Sequence, residues 1–174
     1  MNDGYVEQLV AKKWEASDTV MTVIIVLVAL LAMGISVLLI FTPLYSLILL
    51  LFAAISYVAS RFITNLSVEY EYCLVNGELT VDKIINKRKR KRIIVVQARN
   101  FEHFMPYDAQ ALANENFSAF IKAADCAMPE NGWCAQFNQA GVGKTALVLS
   151  PNEKLLDMIK PYLKPEVRRE GFVK

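Results

Sequence analysis

Between Thr19 and Ser60 the chain carries no Asp, Glu, Lys, Arg or His. The stretch is roughly twice the ~20 apolar residues that a spanning helix needs. Read as one helix at ~1.5 Å per residue, it would be ~63 Å long, about twice the hydrocarbon core. It must therefore break. Thr42-Pro43 offers the place, as an N-cap followed by a proline at the first helical position. The expected spans are about Val20–Phe41 and Pro43–Ser60, within a helical hairpin covering residues 19–62.

A buried pair of soluble helices would need a polar face, and neither segment has one. A signal peptide fits poorly, because the apolar stretch far exceeds a hydrophobic region of about 7–15 residues and no small-residue cleavage site ends it. Gly34, Ser36, Ser46, Ala53, Ala54 and Ser56 are small enough for close helix–helix approach. Lys12 and Lys13 precede the first span, Arg61 follows the second, and the turn at Thr42-Pro43 is uncharged. Lys and Arg mark the cytoplasmic side. The expectation is a multi-pass protein of the cell membrane with both termini in the cytoplasm. Trp14, Phe41, Tyr45, Tyr57 and Phe62 fall near the expected interfaces. The N-terminal residues 1–18 are read as a cytoplasmic segment, with either a short amphipathic helix over Tyr5–Trp14 or a frayed end.

After Asn65 the pattern alternates with a period of two, as in strands. Val68–Val75 reads as a strand, Asn76-Gly77 as a tight hairpin turn, and Leu79–Ile85 as the returning strand. Arg92–Gln97 is a third strand and Phe101–Met105 a short fourth, stopped by Pro106. Asp108–Glu115 reads as a loop or a helical turn, and Phe117–Ala124 as either strand or helix. Trp133–Phe137 and Thr145–Leu149 form a second hairpin. A helix then starts with Ser150 as N-cap, Pro151 at the first position and Glu153 completing a capping box, and Pro161 ends or kinks it. The expected fold class is an α+β membrane protein: a two-helix transmembrane hairpin, then an antiparallel β domain over residues 66–163 with a C-terminal helix. Residues 164–174 are expected to be a mobile tail.

Six or seven antiparallel strands closed by a C-terminal helix resemble the bacterial pleckstrin-homology-like (PH-like) fold. More specifically, the chain resembles an uncharacterised family of small bacterial two-helix membrane proteins with a cytosolic PH-like domain. The resemblance is carried by Tyr5-Val6-Glu7, Val68-Glu69-Tyr70-Glu71-Tyr72, Asn76-Gly77-Glu78-Leu79 with Asp82-Lys83-Ile84, Lys89-Arg90-Lys91-Arg92, and Pro151-Asn152-Glu153-Lys154-Leu155-Leu156. It implies the fold and the anchor but no functional residue.

Charge is the one strong functional signal. Lys87, Arg88, Lys89, Arg90, Lys91 and Arg92 are consecutive, and removing them from the net charge of +2 leaves −4 for the rest. A strand that leaves the membrane, reverses at Asn76-Gly77 and returns over a similar length brings Lys87 back toward the bilayer. Within a Debye length of ~8–10 Å, each Lys or Arg near anionic head groups contributes on the order of 1 kcal/mol. The candidate lipid-binding residues are these six. The alternatives are a solvated hairpin tip that guards a sheet edge, or contact with an acidic protein partner. Nucleic acid is disfavoured, since neither aromatic interleaving nor a helix-turn-helix pattern accompanies the run. Neutralising all six is expected to spare insertion and to abolish liposome binding by the soluble part, Leu66–Lys174.

Other chemistry is weakly represented. Gly141-Val142-Gly143-Lys144-Thr145 resembles the tail of a phosphate-binding loop, but Asn138 stands where its first glycine belongs and a strand, not a helix, follows. Three cysteines (Cys73, Cys126, Cys134) without CxxC spacing favour reduced thiols over disulfides or zinc. His103 is the single histidine, so a Cys–His dyad has only spatial chance behind it. Glu69 and Glu71 share a strand face and read as cross-strand charge partners, with Lys83 the nearest cation. Neither a catalytic set nor a cofactor or metal site is expected. The function read from the sequence is a non-enzymatic, membrane-anchored interaction module that contacts anionic head groups or a protein. The alternative is an accessory or assembly subunit of a larger membrane complex, held through the hairpin.

Overall fold

Alternation along Val68–Val75 places Tyr70, Tyr72 and Leu74 on one side and Glu69, Glu71 and Cys73 on the other, and the structure is built on that choice. The computed structural model describes residues 4–172. It divides into a domain, made of the N-terminal segment through Lys13 together with Val68 onward, and a helical hairpin, Trp14–Ser67.

The domain holds two four-stranded sheets. The first has the order β1-β2-β3-β4, from β1 (Tyr5–Ala11), β2 (Val68–Val75), β3 (Glu78–Ile85) and β4 (Lys89–Gln97), all antiparallel. Asn76 and Gly77 both have positive φ (49° and 85°), the conformation of the tight turn expected there. The second sheet has the order β5-β7-β8-β6, from β5 (Phe101–Pro106), β6 (Ala119–Ala123), β7 (Trp133–Gln139) and β8 (Gly143–Leu149). Within Phe117–Ala124 the strand is Ala119–Ala123, and β6 pairs with β8 in parallel, so the second sheet is mixed rather than wholly antiparallel. Residues 107–118, including the short helix α3 (Ala109–Ala113), lie between the antiparallel β5 and the parallel β6. Asp108 caps α3 by accepting hydrogen bonds from the backbone N–H groups of Gln110 and Ala111.

Val6, Tyr72, Leu74, Leu79, Val81, Ile94 and Val96 from the first sheet join Phe101, Phe104, Phe137, Leu147 and Leu149 from the second in one core. The Tyr72 hydroxyl donates to the Ala123 carbonyl and accepts from the Ser150 N–H, so this buried oxygen is satisfied across the two sheets. Helix α4 (Glu153–Ile159) closes the core with Leu155 and Ile159. Its cap is Asn152, whose Oδ1 accepts from the Leu155 N–H at 2.8 Å, and not Ser150. Ser150 instead donates to Asp125 at 2.8 Å, which keeps it with the end of β8.

Two expectations at the termini are corrected. Tyr5–Ala11 is a strand, not an amphipathic helix, because its burial alternates with Val6 and Val10 inside and β2 offers an edge to pair with. The expected tail forms α5 (Pro165–Phe172), which packs on β5. Val167 is buried, and the Phe172 ring lies 4.7 Å from Trp133 and 6.0 Å from Phe104, centroid to centroid. Two apolar anchors among charged neighbours were enough to order this segment. The first three residues of the N-terminal segment and the last two of the tail lie outside the described residues.

The hairpin has two helices long and apolar enough to cross a membrane, Ala16–Phe41 and Tyr45–Thr64, of 26 and 20 residues. Only 6% of the apolar window of the first is buried within the protein, and none of the second, unlike the core helices of a soluble domain. Their α-helical parts are α1 (Ala16–Val37) and α2 (Ile48–Thr64). Glu15 and Asp18 cap α1 reciprocally. Thr22, Ser36 and Ser60 donate to backbone carbonyls three or four residues earlier, so these hydroxyls are paired within their own helices. The break falls at Thr42-Pro43 as expected, but Pro43 does not open the second helix. The Thr42 hydroxyl donates to Leu39 O (2.8 Å) and accepts from Leu44 N–H (3.2 Å), holding a turn ahead of a 3₁₀ start at Tyr45.

Candidate functional site: the basic β3–β4 hairpin

Three residues, Asn86, Lys87 and Arg88, turn β3 into β4; Asn86 and Lys87 have positive φ (51° and 52°), and Arg88 N–H closes the turn on Ile85 O at 3.2 Å. The basic run is therefore only in part a turn. Lys87 and Arg88 lie at the tip, while Lys89, Arg90, Lys91 and Arg92 lie on β4. All six are exposed.

Being on a strand, the four alternate between faces, and a bulge sets the phase. Pairing slips between Val81, opposite Ile94, and Asp82, opposite Arg92, leaving Ile93 out of register. Arg90 and Arg92 thereby point away from the core, the side that carries Glu71 and Asp82. Arg90 Nη2 lies 3.0 Å from Glu71 Oε1 and 2.6 Å from Oε2. Arg92 Nε lies 3.2 Å from Asp82 Oδ1. Glu71 and Asp82 are only 7% and 6% exposed, so each arginine compensates a carboxylate that has lost most of its water. Lys83, the cation nearest by sequence reasoning, is not the partner of Glu71. Register sets it opposite Tyr70 on one side and Lys91 on the other, on the core-side face.

Glu71 has a second neighbour that the sequence did not reveal. Glu7 on β1 hydrogen-bonds it, and the Tyr5 hydroxyl donates to Glu7. Burial, then the Glu7 hydrogen bond, raises the Glu71 pKa above the ordinary carboxylate range. The Tyr5 and Glu71 hydrogen bonds lower that of Glu7, and the bond to Glu7 pushes the Tyr5 phenol up to about 12. A group whose pKa is raised on folding contributes stability at low pH that is lost as pH rises through the raised value. Glu71→Gln, which stays neutral, should therefore gain on the wild-type chain as pH rises from 5 to 8. The difference between their melting temperatures in detergent checks this, and a difference that does not move with pH would refute it.

The phosphate-loop resemblance dissolves in the structure. Gly141 and Gly143 (φ 78° and 103°) turn β7 into β8, Thr145 is buried in the strand, and Lys144 Nζ pairs with Glu115 at 2.6 Å. His103 Nδ1 lies 2.9 Å from Glu170. Burial pushes the Cys134 thiol up to about 12, far from a reactive thiolate.

Lys12 and Lys83 are cations outside the basic run. The Lys12 N–H donates to Val68 O at 2.9 Å, one residue beyond the paired end of β1, and its charge reaches the Tyr70 phenol. Strand alternation from Tyr70 would have found Lys83, but the bulge hid which residues of β4 share its face.

Comparison with known proteins adds the family. No curated protein and no solved structure matches the chain significantly. A family model described as Bacterial PH-like domain (DUF6106) matches residues 2–169, spanning β1, both apolar helices and the two sheets alike. The chain belongs to this bacterial PH-like domain family.

Proposed function

We propose that the protein is a non-enzymatic interaction module, anchored in the cell membrane by its helical hairpin with both termini cytoplasmic, whose PH-like domain contacts anionic lipid head groups through Lys87–Arg92. One observation carries this reading. Ala11 lies opposite Glu69, Val68 opposite Ile85, and Ile85 opposite Lys89. The strand ends that lead into and out of the apolar segment thus share one end of the sheet with the basic turn. Because β1 and β2 are neighbours, the segment between them begins and ends side by side, which favours an even number of crossings.

The test uses the whole chain in lipid nanodiscs of phosphatidylcholine, with or without about a third phosphatidylglycerol. Acylation of Lys87, Lys89 and Lys91 is followed by mass spectrometry. Several-fold slower labelling in the anionic discs, reversed at ~1 M salt, is the expected result. Equal rates in both discs would refute head-group contact.

The accessory-subunit reading has an observation of its own. A groove of ≈ 570 Å³ runs between α1 and α2, lined by Ala29, Ala32, Ala54 and Ala59 among larger apolar residues. Small side chains there would let another membrane helix approach closely.

A further inference from the structure

The two faces of β4 treat their charges in opposite ways. On the outer face each arginine has a buried carboxylate: Arg90 has Glu71, and Arg92 has Asp82. On the core-side face Lys83 stands directly opposite Lys91, with Lys89 two residues along the strand, and none of the three makes an ion pair among the described residues. Like charges directly opposed across a pair of strands destabilise the sheet.

Guarding a sheet edge does not explain the arrangement. Lysines on β4 could serve that purpose, since β4 is an edge strand. Lys83, however, is on β3, an interior strand with both neighbours paired, where there is no edge to guard. Lys83 is half-buried while Lys91 is exposed, so an anion seated between them would be partly desolvated and held more strongly than at the tip. Directly opposed residues have Cβ atoms about 4.5–5.5 Å apart, so two ammonium groups can converge on a single phosphate. The pair lies toward the end of the sheet where the apolar segment attaches.

We infer that Lys83 and Lys91, with Lys89 beside them, form a clamp for the phosphate of an anionic membrane lipid, and that Arg90 and Arg92 are positioning residues that hold β4 in register. This rests on the head-group reading above and narrows it. The lipid is held on the core-side face by three lysines, one of which lies outside the basic run.

The test is native mass spectrometry of the full-length chain in detergent, with dioleoyl phosphatidic acid, phosphatidylglycerol or phosphatidylcholine added. K83Q/K91Q is expected to retain at least tenfold less phosphatidic acid than the wild-type chain, and K83R/K91R to restore retention. K154Q, at an exposed lysine of α4 outside the basic run, should retain lipid within about twofold of wild type. If K83Q/K91Q binds like wild type while neutralising Lys87–Arg92 abolishes retention, the clamp is wrong but head-group contact stands. If neutralising all six leaves retention unchanged, the head-group reading itself fails. Displacement of the lipid by millimolar inorganic phosphate would overturn the assignment to a membrane lipid.

Discussion

A chain beginning at Leu66 should not fold, whereas residues 4–13 joined to residues 68–174 through about five glycine and serine residues should give a soluble, monomeric domain. The reason is β1. Val6 and Val10 are buried from that strand, and full burial of each valine contributes about 1.5–3 kcal/mol. Their loss removes about 3–6 kcal/mol from a domain whose total stability is expected at roughly 5–15 kcal/mol. Gln8 adds to the loss. Its Nε2 donates to Ser150 O and its Oε1 accepts from Asn152 N–H, both at 2.9 Å, so β1 also steadies the start of α4. Without β1, β2 becomes an open edge beside a hydrophobic core, which invites aggregation. The linker is short because Ala11 and Glu69 are already cross-strand neighbours and Lys12 N–H bonds Val68 O. Size-exclusion chromatography and the dispersion of amide proton resonances would distinguish the two chains. A folded, monomeric 66–174 fragment would show that β1 is dispensable. Liposome binding is accordingly measured with the joined form or the whole protein.

Gly171→Ala should detach α5. A Cβ at this position would collide with the backbone carbonyl oxygen of Phe104 and lie 3.3 Å from the Trp133 ring. A backbone oxygen in a strand cannot move aside as a flexible side chain can, so the helix must lift. Lifting it uncovers Val167 and unstacks Phe172 from Trp133 and Phe104. Overpacking of this kind costs about 1–3 kcal/mol even when the chain adapts. The expected readout is a melting temperature lower by several degrees, with faster amide exchange confined to α5 and β5. Gly34→Ala is the comparison, since a Cβ there meets nothing within 4 Å, and it should be neutral. If Gly171→Ala matched it, the tight seat of α5 would be disproved.

The two β-hairpins were legible because their signals are local. Asn76-Gly77 needs only its own backbone preference to turn the chain, and Val68–Val75 needs only its alternation. The head-group candidates were legible as a charge run but not as a site. A strand assigns its residues to faces by parity, and one bulge at Val81/Asp82 reverses the parity without leaving a mark in composition. The parallel pairing of β6 with β8 was out of reach because it depends on a partner outside its own hairpin. Asn152 was overlooked as the cap because Ser150 and Glu153 fit a capping box equally well on paper. The competing hydrogen bond from Ser150 to Asp125 exists only once both residues are brought together.

The sequence by itself determined the apolar hairpin and its break at Thr42-Pro43, since a long uncharged run and its interruption are properties of composition and length alone. It also determined the order of most strands along the chain. Only the tertiary structure decided that residues before the hairpin belong to the sheet after it, that the last charged segment docks as a helix, and which of six consecutive cations meet carboxylates. Each of those outcomes depends on surfaces that come into being when distant parts of the chain meet: the free edge of β2, the aromatic seat of Phe104 and Trp133, and the buried oxygens of Glu71 and Asp82.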